Sequence, residues 1–401
     1  MKKLHILLIL SATVYACTKL EPQAPAAEDV MDAPLDGLSY TQYQMFNKGA
    51  EEFDETYTSE NGLGPYYVAT SCAACHSADN RGHFFTVLTR FGQTDSTGNH
   101  FMESGGPQLQ NNALPGFVPE LLPAGATSSK FIAPIVSGSG FIELVSDADI
   151  IAMAEENKTN TDGVRGHPNW NEIPDYVTPF SNAIIRDGKY ICRFGRKAST
   201  YNLHQQTVQA FNQDMGITTT FLPFNPINYS EGTDPVPVAD PEITDASVNA
   251  NVFYLQTLQT PLQRNADDAQ VIQGSNIFKA IGCEACHRET LKTGYSPVEA
   301  LSNKEFHPYT DLLLHDMGTD LDDGYTEGTA KTSEWRTTPL WGLGLARNAQ
   351  GNNLFLLHDG RAHSIDEAIQ YHNGEALMIK NRYNDLSQED KDAVIKFLNS
   401  L

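Results

Sequence analysis

Two five-residue segments constrain this chain more than any other feature, because each carries two cysteines followed directly by a histidine. They are Cys72-Ala73-Ala74-Cys75-His76 and Cys283-Glu284-Ala285-Cys286-His287. In the Cys-x-x-Cys-His pattern that attaches c-type haem, the thiols bond to the porphyrin and the histidine ligates the iron. Paired zinc knuckles would lie about 15–20 residues apart, and a disulfide would leave both histidines unexplained. The sequence therefore predicts two covalently bound c-type haems.

Composition limits the partners of the chain. Its 401 residues include 50 acidic and 27 basic side chains, for a formal net charge of −23. Such a charge argues against binding to nucleic acid or to an anionic membrane surface, and it favours a cationic protein partner such as a basic electron-transfer cytochrome.

The first residues have the features of an export signal. Lys2 and Lys3 precede an apolar run and Ala16, so we expect 1–16 to be a signal peptide. Cys17 resembles the lipidated cysteine of bacterial lipoproteins, with ordinary cleavage after Ala16 as the alternative, and 17–39 would be its tether. These features predict an exported protein, either periplasmic or a cell-envelope lipoprotein. Cys192 lies in an apolar run and is expected to be a buried small side chain.

Similar helices precede the two motifs and indicate an internal repeat. The stretches from Tyr40 to Phe53 and from Asp268 to Ile281 are amphipathic, and each has glycine four residues before phenylalanine, which lets two helices cross closely. We expect a mainly α fold of two cytochrome c-like domains with long ordered loops, at 40–245 and 246–401.

The second haem iron needs another axial ligand if it is to transfer electrons without binding substrate. The candidates downstream of the second motif are Met317, His315, His358, His363, His372 and Met378. Ser364 to Glu367 form a capping box, and His372 then falls on the apolar face of the short helix that follows. This pattern favours His372 as the ligand, with Met317 as the rival.

The second half of the chain has Leu357-His358-Asp359-Gly360 before the short helix, and in this it resembles the bacterial di-haem cytochrome c peroxidases and the enzymes that mature methylamine dehydrogenase. His372 falls where the peroxidases place methionine and the maturation enzymes place tyrosine. The chain is similar, more closely, to the di-haem oxidoreductase or peroxidase family. The stretches that match this family are 195–198, 214–218, 309–318, 334–344 and 372–376.

This resemblance implies a reactive first haem. The related peroxidases have a glutamine and, ten residues later, a glutamate in that pocket, and this chain has Gln110 and Glu120. His83 and His100 are further candidates, either of which would ligate the first iron in a resting state. Related enzymes also hold calcium between their domains, for which the acidic 320–323 segment is a weak candidate. Haem propionates would pair with Arg336 or Arg361.

Together these features predict an oxidoreductase that reduces peroxide. The haem on His76 would react with the oxidant, with Glu120 as acid and base and Gln110 orienting the substrate. The haem on His287 and His372 would relay electrons from a redox partner. One alternative is peroxide-dependent oxidation of a partner protein or small molecule. Another is a non-enzymatic electron carrier or a component of surface iron or haem handling.

Overall fold

A computed structural model of the chain describes residues 25–77, 81–95, 98–231 and 241–401. The predicted signal peptide at 1–16, the predicted lipidation site Cys17 and the first part of the predicted tether lie outside the described residues. Within the described part, no helix combines the length and the apolar character needed to cross a membrane.

The described residues form eleven α-helices, of which six are longer than ten residues. In chain order they are α1 (Tyr40–Asp54), α2 (Cys72–Cys75), α3 (Ser139–Glu143), α4 (Asp147–Asn157), α5 (Leu203–Met215), α6 (Asp245–Thr257), α7 (Ala269–Ile281), α8 (Ala346–Ala349), α9 (Ile365–Gln370), α10 (Leu377–Asn384) and α11 (Gln388–Ser400).

Thirteen short strands accompany these helices in the described part of the chain. They are β1 (Tyr66–Tyr67), β2 (His76–Ser77), β3 (Arg81–Gly82), β4 (Leu88–Gly92), β5 (Asn112–Ala113), β6 (Thr127–Phe131), β7 (Asn169–Asn171), β8 (Ile185–Arg186), β9 (Lys189–Cys192), β10 (Leu291–Lys292), β11 (Glu305–Phe306), β12 (Leu314–Asp316) and β13 (Glu334–Arg336).

The strands pair in five two-stranded sheets and one three-stranded sheet of order β7-β9-β8, and each pair of neighbouring strands is antiparallel. The fold is therefore mixed α/β, and the prediction of a mainly α fold of two cytochrome c-like domains is wrong. Ten of the thirteen strands have only two or three residues, which is too short to show the alternating pattern by which strands are predicted.

The helix that precedes each cysteine motif crosses another helix closely. A Cβ atom built on Gly49 of α1 would lie 2.1 Å from the Ala250 carbonyl oxygen of α6, and one on Gly274 of α7 would lie 2.0 Å from the Ala393 carbonyl oxygen of α11. Each glycine thus allows the close approach of two backbones. Because α6 packs on α1, this contact ties the start of the predicted second domain to the first.

The main apolar core includes residues from both halves of the chain, among them Phe53, Phe211, Leu312 and Trp341. Met31, which lies in the predicted tether, is also buried in this core. A flexible tether would therefore have to end before Met31.

Candidate haem sites

The second cysteine motif directly follows α7. Gly282 ends this helix in a left-handed conformation, and a 3₁₀ turn over Cys283–Ala285 follows. Cys283 and Cys286 are free thiols, both partly exposed. His287 Nδ1 is hydrogen-bonded to the Tyr309 carbonyl at 3.0 Å, which leaves Nε2 available as the ligating nitrogen.

His372, at the end of the short helix α9, faces His287. The centres of the two imidazole rings lie 6.3 Å apart. A metal–imidazole bond is about 2 Å long and the ring centre lies about 1 Å beyond the nitrogen, so two imidazoles on opposite sides of one iron have centres roughly 6 Å apart. His372 Nδ1 is hydrogen-bonded to the Ala368 carbonyl at 2.8 Å. The spacing and the free Nε2 atoms fit a haem iron between the two rings.

Electrostatics at this pair also suits iron ligation. Removal from solvent, with the nearby His372 as a smaller cause, lowers the pKa of His287 to about 4. Removal from solvent also lowers the pKa of His372. Both imidazoles are therefore neutral at pH 7, as metal ligands must be.

The rival ligand Met317 packs in a different apolar cluster, with Trp335 and Phe131. The other candidates are also engaged elsewhere or exposed. His315 lies between Asp311 and Glu375, His358 is stacked on Trp335, His363 contacts the Leu354 carbonyl and Met378 is exposed.

The first cysteine motif opens into a large cavity. Ser71 caps α2 by accepting a hydrogen bond from the Ala74 amide, and Cys72, Cys75 and His76 line the cavity, which encloses about 1480 Å³ with its open mouth included. Removal from solvent lowers the pKa of His76 to about 4, against the opposing effect of the Pro134 carbonyl. His76 is thus a neutral imidazole beside two thiols, which is the donor set that a c-type haem requires.

Three arginines near this cavity carry like charges close together. Removal from solvent, with the nearby Arg336 and Arg81 as smaller causes, lowers the pKa of Arg196 to about 9. Arg196 donates two hydrogen bonds to the Ile132 carbonyl, and none of the three forms an ion pair with a carboxylate of the described residues. Arg196 and Arg336 line the cavity, where the two propionates of a haem would neutralise this excess charge.

A polar network also faces the cavity. Asp214, at the end of α5, accepts a hydrogen bond from the Gln108 side chain, and Arg90 lies 3.2 Å from Gln213 Oε1. Arg90 also forms a 2.6 Å ion pair with Glu327. Removal from solvent raises the pKa of Asp214 to about 6, although Gln108 and Arg90 oppose this rise. A carboxyl with that pKa exchanges protons near neutral pH.

The predicted pair Gln110 and Glu120 is brought together, but its side chains do not line this cavity. The Gln110 amide donates to Glu120 Oε2 at 2.8 Å, and both residues are buried. Removal from solvent raises the pKa of Glu120 to about 8. The role of this pair stays a prediction.

The remaining candidates lie in varied surroundings. His83 Nδ1 accepts a hydrogen bond from the Phe85 amide, and His100 is bonded through its backbone to Gln93. Arg361 pairs with Asp359 and Asp323. Among the described residues, the acidic 320–323 segment forms no cluster of metal-ligand geometry, so calcium gains no support there.

Sequence reasoning missed Asp214, Gln108 and Arg90. Gln108 and Asp214 are 106 residues apart in the chain, so no local pattern joins them. Asp214 does begin one of the stretches that carry the family resemblance, and that signal could have identified it.

Comparison with known proteins places the chain in a family. No curated protein matches it. A solved structure of hydrazine synthase from Kuenenia stuttgartiensis, pressurised with 20 bar xenon, covers 95% of this chain and 98% of its own, at 13% identity and a TM-score of 0.38. That likeness is too weak to support an argument about fold or function. Residues 126–401, more than half of the chain, match the family described as "Di-haem oxidoreductase, putative peroxidase". The chain belongs to this di-haem oxidoreductase family.

Proposed function

We propose that this di-haem oxidoreductase is an exported, lipid-anchored enzyme that reduces peroxide at its first haem site. The observation that carries the proposal is the difference between the two sites. His287 and His372 face each other at the spacing of two axial ligands, whereas His76 is the single histidine among the described residues that line the first cavity. An iron with a free position can bind substrate, and an iron with two histidine ligands transfers electrons.

Cys72 and Cys75 would bond to the first haem, His76 would ligate it, and Arg196 and Arg336 would hold its propionates. Cys283, Cys286, His287 and His372 would hold the second haem. Bound in the first cavity, haem would supply the iron and the electron transfer that cleavage of a peroxide bond requires. Met215 also lines this cavity, and its side chain lies in the main apolar core. It is the group that would compete with substrate for the iron of the first haem.

Asp214 is our choice for the group that moves protons. It would accept the proton of the inner peroxide oxygen and deliver it to the outer oxygen, which leaves as water when the O–O bond breaks. Two electrons from an external donor and two protons from solvent complete the reduction of one hydrogen peroxide to two water molecules. Arg90, held by Glu327, places a positive charge near the developing negative charge.

The electron donor would be a basic redox protein, because the chain carries a net charge of −23 and oppositely charged surfaces accelerate encounter.

The export signal at 1–16 would direct the enzyme out of the cytoplasm, and the lipid on Cys17 would hold it at the cell envelope. Replacement of Cys17 by alanine should then move the protein from the membrane fraction to the soluble fraction.

The haem-loaded protein tests the proposal. Its oxidised electron paramagnetic resonance spectrum should contain one high-spin and one low-spin haem, and the reduced protein should consume hydrogen peroxide. Two low-spin haems would contradict the proposal, and a Met215→Leu variant that then becomes high-spin would identify Met215 as the reason.

The role of Asp214 is tested by three variants. Asp214→Asn should lower the second-order rate with peroxide by about a hundredfold or more and remove its dependence on a group with a pKa near 6. Asp214→Glu should restore part of both. If Glu120→Gln removes the pH dependence and Asp214→Asn retains it, Glu120 is the proton-transfer group instead.

A further inference from the structure

Helix α5 gives the first cavity one polar wall. Gln206, Gln209 and Gln213 follow one another at three and four residues on this helix and line the cavity, so their amides share one face. The Gln213 side chain accepts a hydrogen bond from Arg90. The side chains of Gln206 and Gln209 make no hydrogen bond within the described part of the chain. Two amides on this wall are therefore available to a ligand.

Two further polar groups of this cavity are buried without a hydrogen-bond partner among the described residues. They are the hydroxyl of Thr207 on α5 and Oδ1 of Asn251 on α6. The two residues are 4% and 1% exposed, and both line the cavity. A buried polar atom without a partner destabilises a folded protein. These atoms therefore indicate a ligand that pairs with them.

Haem alone would not satisfy these groups. The faces of a porphyrin are apolar, and the hydrogen-bonding groups at its edge are the two propionates, which Arg196 and Arg336 would hold. A porphyrin packed against Thr207 or Asn251 would leave the polar atoms of those side chains unpaired. The polar wall thus indicates a second ligand beside the haem.

The charges of the cavity favour a ligand without charge. Arg90 is paired with Glu327, and Arg193 is paired with Asp147. The propionates would neutralise the other two arginines of the lining. The groups that remain on the wall are amides and a hydroxyl, which both donate and accept hydrogen bonds. The hydroxyl groups of a ligand match both roles, whereas a carboxylate or an ammonium matches only one.

The wall also sets the length of the ligand. From Gln206 to Asp214 an α-helix rises by about 12 Å. Ala210, which has a small side chain, lies midway along this stretch and also lines the cavity. The available length is close to that of a disaccharide and far exceeds that of hydrogen peroxide.

We propose that the polar wall of α5 binds an uncharged polyhydroxyl compound, of about the length of a disaccharide, beside the first haem. The proposal rests on the proposed function for the position of that haem. Gln206 and Gln209 would bind hydroxyl groups along the helix, and Thr207 and Asn251 would bind the most deeply buried ones. One end of the ligand would lie at Asp214.

Isothermal titration calorimetry of the oxidised, haem-loaded full chain tests the site. The probes are three neutral disaccharides (lactose, cellobiose and maltose) and lactobionate, which is close to lactose in size and carries one carboxylate. At least one neutral disaccharide should bind with a dissociation constant of about 1 mM or lower, and lactobionate should bind at least about tenfold more weakly than that sugar. Failure of all three sugars to bind, or tighter binding of lactobionate, would overturn the proposal.

Variants of the wall locate the bound sugar. The double variant Gln206→Ala, Gln209→Ala should weaken binding by about tenfold or more, because it removes two hydrogen-bonding side chains. Gln388 on α11 is exposed, and Gln388→Ala is the control that should leave binding unchanged. Native affinity in the double variant would place the sugar elsewhere and overturn the proposal.

Thr207→Val distinguishes a ligand site from a site that only water fills. Valine has the shape of threonine without its hydroxyl, so this variant should weaken sugar binding by about threefold or more. The unfolding temperature of the sugar-free protein should stay the same or rise, because an unpaired hydroxyl is no longer buried. A lower unfolding temperature with unchanged binding would show that water satisfies the hydroxyl, and would overturn the proposal.

These measurements need no peroxide, so the two proposals fail separately. Protein that binds a disaccharide but consumes no peroxide would contradict the proposed function and leave this result standing. Protein that consumes peroxide but binds no disaccharide would overturn this inference alone.

Discussion

At the scale of single residues, His372 is the side chain on which the second site depends. Its ring lies 6.3 Å from that of His287, centre to centre, and its Nδ1 is held by the Ala368 carbonyl. We expect His372→Ala to convert the low-spin haem signal to high-spin, because the iron would lose one of its two proposed ligands. Low-temperature electron paramagnetic resonance measures this change. Met317→Leu is the control and should keep the low-spin signal. If Met317→Leu loses this signal and His372→Ala keeps it, Met317 is the ligand.

The protonation of Glu120 leads to a second prediction at the scale of single residues, which concerns how stability depends on pH. Its pKa is raised to about 8 by removal from solvent, while glutamate in an unfolded chain titrates near about 4.3. The folded state therefore holds the proton more tightly between these values. The free energy of unfolding should fall as pH rises through this window, by up to about 1.4 kcal/mol per pH unit.

Glu120→Gln should remove most of this slope. Denaturant unfolding at pH 5, 6.5 and 8 measures it in the native chain and in the variant. The exposed Asp267 provides a control, since Asp267→Asn should keep the native slope. Equal slopes in the native protein and in Glu120→Gln would show that Glu120 is not protonated in the folded state at neutral pH.

At the scale of secondary-structure elements, the close crossing of α7 and α11 holds the second cysteine motif in place. A Cβ on Gly274 would lie 2.0 Å from the Ala393 carbonyl oxygen, and backbone cannot yield as a flexible side chain can. We expect Gly274→Ala to lower the free energy of unfolding by about 1–3 kcal/mol, measured by chemical denaturation. Gly294→Ala is the control, because its nearest neighbour would be 3.4 Å away. Equal stability of both variants would contradict this crossing.

The elements also show what could be predicted from sequence. The helices that begin at Tyr40 and Ala269 were foreseen, because helical periodicity and the Gly-x-x-x-Phe spacing are local signals. The strands were not, because β12 and β13 owe their pairing to contacts between distant segments. The lining of the first cavity could not be predicted for the same reason. Spacing and resemblance pointed to Gln110 and Glu120, whose role stays a prediction, whereas Asp214 faces the cavity because α5 folds against a distant loop.

At the scale of the whole molecule, the first predicted haem would bind in a region that combines a cavity with three neighbouring arginine charges. The first cavity encloses about 1480 Å³ with its mouth, and the charges of Arg196, Arg336 and Arg81 repel one another beside it. Bound haem would fill the space and supply the opposite charges, so haem and folded chain should stabilise each other.

Covalent attachment is therefore the final prediction. Denatured native protein should retain two haems in its intact mass, because thioether bonds survive unfolding. The double variant Cys72→Ala, Cys75→Ala should retain one, and it should also lose roughly 3 kcal/mol or more of stability from the unfilled cavity. Cys192 is buried away from both motifs, so Cys192→Ala should keep both haems. Release of haem from the native chain on denaturation would show that the cysteine motifs do not bind it covalently.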